Sequence, residues 1–113
     1  MADDGALLRA YAKSGSEEAF AELVQRHLAL VYSTALRSVG GDEHLAKDVS
    51  QNVFIDLARK ATALSNRLGL TGWLYRSTCF AAAKAVRSER RRQAREQEAQ
   101  SMQEQISEPR LNS

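Results

Sequence analysis

The chain has 113 residues, with 16 Lys and Arg against 14 Asp and Glu, a formal net charge of +2, and a 43% hydrophobic composition. That length supports one small domain with a modest core and leaves no room for a second. Its single cysteine, Cys79, has no thiol with which to form a disulfide or share a metal, which fits a reducing cytoplasm, and no apolar run approaches a signal-peptide core or a membrane span.

Ala, Leu, Glu, Gln, Arg and Lys dominate, Pro109 is the one proline, and Val and Ile form no alternating runs, so the chain reads as all-α. A first helix is expected from Asp3 or Asp4 to Lys13: an acidic cap precedes Leu7, Leu8 and Tyr11, and Ser14-Gly15 stops it. Ser16 caps a second helix with Glu17 and Glu18 in its first turn. That helix presents Phe20, Leu23, Val24, Leu28, Val31, Ala35 and Val39 at helical spacing and ends at Gly40-Gly41. Asp42 caps a third helix, running to about Ala61, and a loop rich in Leu, Ser, Asn and Gly spans Thr62 to Thr71. Thr71 caps the last helix, which starts at Gly72-Trp73 and continues past Arg95. Residues 1–95 are thus expected to form a compact domain of three or four helices with a long C-terminal helix. Residues 96–113, polar except for Met102 and Ile106 before Pro109, are expected as a helix fraying into a disordered tail.

Charge is distributed unevenly. Residues 1–65 carry 7 basic and 9 acidic side chains, residues 66–95 carry 8 basic against Glu89, and residues 96–113 carry 1 basic and 4 acidic. The basic block holds a distinctive helical stripe: Trp73, Arg76, Phe80, Lys84, Arg87 and Arg91 fall within an arc of about 80°, with Leu74, Thr78, Ala81, Ala82 and Ala85 opposite. Such a helix buries a small-residue face and shows solvent aromatics interleaved with cations, a surface suited to holding a nucleic-acid backbone while its bases stack. A solvated helix end is the plainer account of Arg90, Arg91 and Arg92; the aromatic interleaving favours nucleic acid. Trp73 follows Gly72 and has a second role open to it, folding back to lock the helix start.

The third helix buries Ala46, Val49, Val53 and Leu57, with Phe54 on the flank, and presents His44, Asp48, Gln51, Asn52, Ile55 and Arg59 on its other side. A lone exposed Ile is unremarkable. Ringed by Asp, Gln and Asn, Ile55 also suits a partner-docking face with an apolar anchor and a hydrogen-bonding rim.

Enzymatic readings find little support. His27 sits among Leu23, Val24, Leu28 and Val31 as a core or boundary residue, and His44 lies in a first helical turn; neither has a second ligand at metal-site spacing. Asp48 and Asp56 offer no acid and base pair, Cys79 near Tyr75, Ala82 and Val86 reads as a small core residue, and Gly69 and Gly72 bracket a turn without making a phosphate loop. No catalytic constellation, cofactor site or metal site is expected.

The run from Ala46 to Leu57, followed by Gly72-Trp73-Leu74-Tyr75-Arg76 and an Arg-rich helix end, resembles region 2 of extracytoplasmic-function sigma factors of the sigma-70 family, and Glu17 to Leu36 is similar to that family's first core helices. The resemblance covers roughly residues 5 to 95. It implies a bacterial transcription initiation factor, acting in the cytoplasm, that binds the clamp helices of the largest subunit of RNA polymerase and recognises and melts the promoter −10 element, mainly as single-stranded DNA. On this resemblance the polymerase-facing positions are Asp48 and Gln51, with Lys47, Asn52 and Ile55 beside them. The promoter-facing positions are the Thr62 to Thr71 loop, where Asn66 and Arg67 are the central polar side chains, and Trp73, Arg76, Phe80, Lys84 and Arg87, with Arg91 continuing the stripe.

The family often carries an acidic residue where Lys47 and Asn52 stand, and many members have Asn in place of Phe80 and Asp in place of Lys84; Phe80 shifts the expected base readout from hydrogen bonding to stacking. An anti-sigma factor is a further partner the resemblance allows, and the isolated chain is expected to be monomeric. Members usually carry a helix-turn-helix second domain, region 4, which residues 96–113 are too short to supply. Two other readings of the same residues are a helical protein-interaction module with a basic solvated helix, and an RNA-binding helical protein.

Overall fold

The computed structural model describes residues 2–67 and 69–107, and every regular element among them is helical. Helix α1 spans Asp4–Ser14, where the Asp3 carboxylate accepts the Ala6 N–H at 2.7 Å and Gly15, at φ 66°, closes the far end. Helix α2 spans Glu17–Ser38; Ser16 Oγ accepts the Ala19 N–H at 3.2 Å, and beyond the C-terminus the Gly41 N–H returns to the Leu36 carbonyl at 2.9 Å. Helix α3 spans Glu43–Arg59, with Asp42 accepting the Leu45 N–H at 3.1 Å.

Three segments differ from expectation. Helix α3 stops at Arg59, and the stretch expected as loop from Thr62 begins instead as a single helical turn, α4, over Ala61–Leu64. Helix α5 spans Leu70–Ser107, so Thr71 lies inside its first turn and does not cap it. Gly69, at φ 86°, turns the chain early, and its carbonyl accepts the Trp73 N–H at 3.1 Å. At the other end α5 continues unbroken through residues 96–107, where fraying was expected. Ala, Gln, Glu and Met all favour helix there, and Arg92 ties Glu89 to Glu96 along the surface just before it. Pro109 and the remaining tail lie outside the described residues, as does Leu68.

Helices α2, α3 and α5 pack against one another, and α1 lies across α2 and α4. The core is built from Leu8, Leu23, Val31, Val49, Val53, Leu57 and Leu74, each essentially removed from water. Burying one such side chain contributes about 1.5 to 3 kcal/mol. Ala35, Ala46 and Ala82 are also fully buried and let the helix backbones approach closely. Tyr11 and Phe20 extend the core toward α1, their ring centroids 4.7 Å apart.

His27 is buried as expected of a core or boundary residue, and its Nε2 meets the Asp4 carboxylate at 2.9 Å; Arg26 reaches the same carboxylate at 3.3 Å, so α1 is latched to α2. Leu28, by contrast, is 46% exposed, because the buried face of α2 runs through Leu23, His27, Val31 and Thr34 and leaves it to one side. Cys79 is half-buried on the flank of α5 and so is not the core residue expected.

Candidate nucleic-acid and partner interfaces

The capped start of α3 sets its rotational phase, and the two faces separate cleanly. Ala46, Val49, Ser50, Val53, Phe54 and Leu57 are buried, whereas His44, Lys47, Asp48, Gln51, Asn52 and Arg59 face solvent around a half-exposed Ile55. Ser50 sits on the buried side because its Oγ donates to the Ala46 carbonyl at 2.8 Å.

Ile55 borders two grooves. One, of about 890 Å³, lies between α2 and α3 and is walled by Phe20, Val24, Leu28, Tyr32 and Phe54, with Lys47 and Gln51 at its rim. The other, of about 470 Å³, lies between α3 and α5 and brings Asn52, Asp56 and Arg59 together with Phe80 and Lys84. Periodicity assigned Asn52 and Ile55 to one surface and Phe80 and Lys84 to another; packing of α3 on α5 makes the two surfaces neighbours.

Sequence reasoning missed the α2 wall of the larger groove. A signal was present, since the apolar residues of α2 spread over more than half its circumference, well beyond the roughly 100° that one buried face needs.

On α5, Leu74, Thr78 and Ala82 are buried, with Ala81 and Ala85 beside them, and Thr78 Oγ1 donates to the Leu74 carbonyl at 2.6 Å. The opposite face carries the expected stripe. Arg76, Phe80, Lys84, Arg87 and Arg91 are exposed, and Phe80 reaches 72%. An apolar ring left so open is available for stacking. Trp73 differs from its stripe neighbours: half-buried and packed against the core, it lines a small depression with Leu64, Arg67, Leu70 and Arg76. It therefore closes the start of α5 against the loop and leaves one flank beside two guanidinium groups.

Asn66 and Arg67 are exposed in the loop after α4. The turn is shaped locally by the Arg67 N–H donating to the Leu64 carbonyl at 3.0 Å and Ser65 Oγ donating to the Thr62 carbonyl at 2.9 Å. A cleft of about 550 Å³ separates this loop from α1.

The distal cations are not equivalent. Within the Arg90–Arg92 run, and among the described residues, Arg92 is the member held in ion pairs, with Glu89 at 2.6 Å and with Glu96. Hydrogen bonds from Arg92 hold the Glu89 carboxyl below the usual carboxylate range, and Glu89 in turn raises the Arg92 guanidinium. Arg87, Arg90 and Arg91 keep their charge directed to solvent.

Among the described residues no group of three or more His, Cys, Asp and Glu is placed to hold a metal ion, and no helix is long and apolar enough to cross a membrane. No curated protein and no solved structure matches the chain. The family model for Sigma-70 region 2 matches residues 23–92, which takes in most of α2, all of α3 and α4, the loop and the stripe of α5.

Proposed function

The chain belongs to the sigma-70 region 2 family, and is thus a sigma factor domain of transcription initiation; from that premise we propose that α3 docks on the clamp helices of the RNA polymerase largest subunit while α5 and the loop before it recognise and open the promoter −10 element. The observation that carries this reading is the adjacency of two unlike surfaces, a polar strip centred on Ile55 and an aromatic and cationic stripe centred on Phe80, across the α3/α5 groove. A strand bound along α5 then lies beside the polymerase surface that holds the domain, which raises its effective concentration.

Opening needs no nucleotide hydrolysis. The domain favours the melted state to the extent that it binds single strands better than duplex, by stacking on Phe80 and by pairing phosphates with Arg76, Lys84, Arg87 and Arg91. Asn66 and Arg67 supply base selection from an exposed loop. The order of α3, loop and basic helix fits the extracytoplasmic-function group, which works in the bacterial cytoplasm.

The test is titration of the chain against isolated clamp helices. Asp48→Arg and Gln51→Ala are expected to weaken binding by about 1 to 3 kcal/mol each. Both side chains are exposed, so the thermal melt should not change. Unchanged affinity in the double variant removes α3 from the interface.

A further inference from the structure

We propose that Arg9 is a positioning residue for promoter selection: from α1 it fixes the loop that carries Asn66 and Arg67, and so sets sequence discrimination through the placement of that loop. The proposal rests on the reading of that loop as the base-selecting element. Arg9 Nη1 donates to the Ser65 carbonyl at 3.3 Å, joining residues 56 apart in sequence. Among the described residues this is the hydrogen bond that connects α1 to the 65–69 stretch.

Among the described residues, the loop's remaining hydrogen bonds are local. Ser65 N–H to the Ala61 carbonyl at 2.8 Å, Ser65 Oγ to Thr62, and Arg67 N–H to Leu64 give the turn its shape. None of them fixes where the turn stands relative to the helical body. Leu8 and Leu64, both buried, hold the two elements together without directionality, whereas a guanidinium donor on a peptide oxygen fixes one orientation.

The support beneath Arg9 is itself braced. Asp4, five residues earlier on α1, is latched to Arg26 and His27 of α2. Gly5 leaves room for the Arg9 side chain to fold back along the helix: a Cβ at Gly5 would stand 3.1 Å from Arg9 Nη1. On the far side, Leu70 and Trp73 flank Arg67. Arg67 thus lies between α1 and α5, and its position relative to the α5 stripe depends on both.

The experiment uses the full chain bound to bacterial core RNA polymerase and a pool of single-stranded oligonucleotides randomised across the −10 positions, with the retained sequences counted. Arg9→Met, which keeps length and removes the donors, is expected to reduce preference for the best sequences about fivefold, the factor a hydrogen bond of this kind carries. Core binding should be unchanged and amide exchange at Arg67 accelerated. Arg9→Lys, with a donor on a comparable stem, should recover most of the preference. Adding Gly5→Ala to Arg9→Met raises the helix propensity of α1 and should recover melting temperature without recovering preference. Preference that returns together with melting temperature makes Arg9 a stabilising residue only and overturns the proposal. Preference unchanged in Arg9→Met but lost in Asn66→Ala or Arg67→Ala also overturns it while leaving the loop's role intact. Preference unchanged in all of these variants removes the loop reading and the role of Arg9 together.

Discussion

Thr34 is 2% exposed, and its Oγ1 has no hydrogen-bond partner among the described residues. An unpaired buried hydroxyl carries a desolvation cost, so the isosteric Thr34→Val is expected to raise stability by about 1 kcal/mol, visible as a higher melting temperature. Ser50 and Thr78, whose hydroxyls are bonded to the preceding turn, should show no such gain. Exposure separates the two aromatics of the α5 stripe in the same way. Phe80→Ala is expected to leave the melt unchanged and to weaken single-strand binding by about 1 to 3 kcal/mol with little change in salt slope. Trp73→Ala, at a half-buried ring packed on the core, should instead cost about 3 kcal/mol of stability. Of the distal cations, Arg91→Ala should reduce the salt slope of single-strand binding by about 0.7, whereas Arg92→Ala should reduce it far less because two carboxylates already neutralise that guanidinium.

At the level of elements, the distal half of α5 stands out from the core: residues 90–106 are all exposed. Its helicity rests on propensity and on the Glu89–Arg92–Glu96 series. Glu89 titrates below its unfolded value, so its contribution is present above the unfolded carboxylate range and is lost as pH falls through the depressed folded value. Acidification is therefore expected to lower carbon chemical-shift helicity around residues 89–96 first, and Glu89→Gln should weaken that pH dependence, leaving the part carried by the Arg92–Glu96 pair. The caps at Asp3, Ser16 and Asp42 were legible in the sequence because each is local chemistry, a side-chain oxygen three residues from the N–H it accepts. The small-residue face of α5 was legible through its period. The start of α5 was not, because Gly69 adopts a left-handed conformation that moves the helix origin ahead of the more obvious cap at Thr71. Nor could a period show that Asn52 and Phe80 line one groove or that Arg9 reaches Ser65, since those depend on how separate helices pack.

At the largest scale, the described residues span 77 × 25 × 19 Å with a radius of gyration of 20.6 Å, against about 13 Å for a compact domain of this length. Helix α5 accounts for the difference: its 38 residues extend about 57 Å at the standard helical rise, so it must lie close to the long axis. A particle of this shape turns slowly end over end and quickly about its own length. Amide N–H bonds in α5 point along that length and sense only the slow rotation, whereas bonds lying across it sense both. Nitrogen transverse relaxation is therefore expected to be uniformly faster along α5 than in helices set at an angle to it, a signature of hydrodynamic anisotropy that exchange broadening would not produce evenly over 38 consecutive residues.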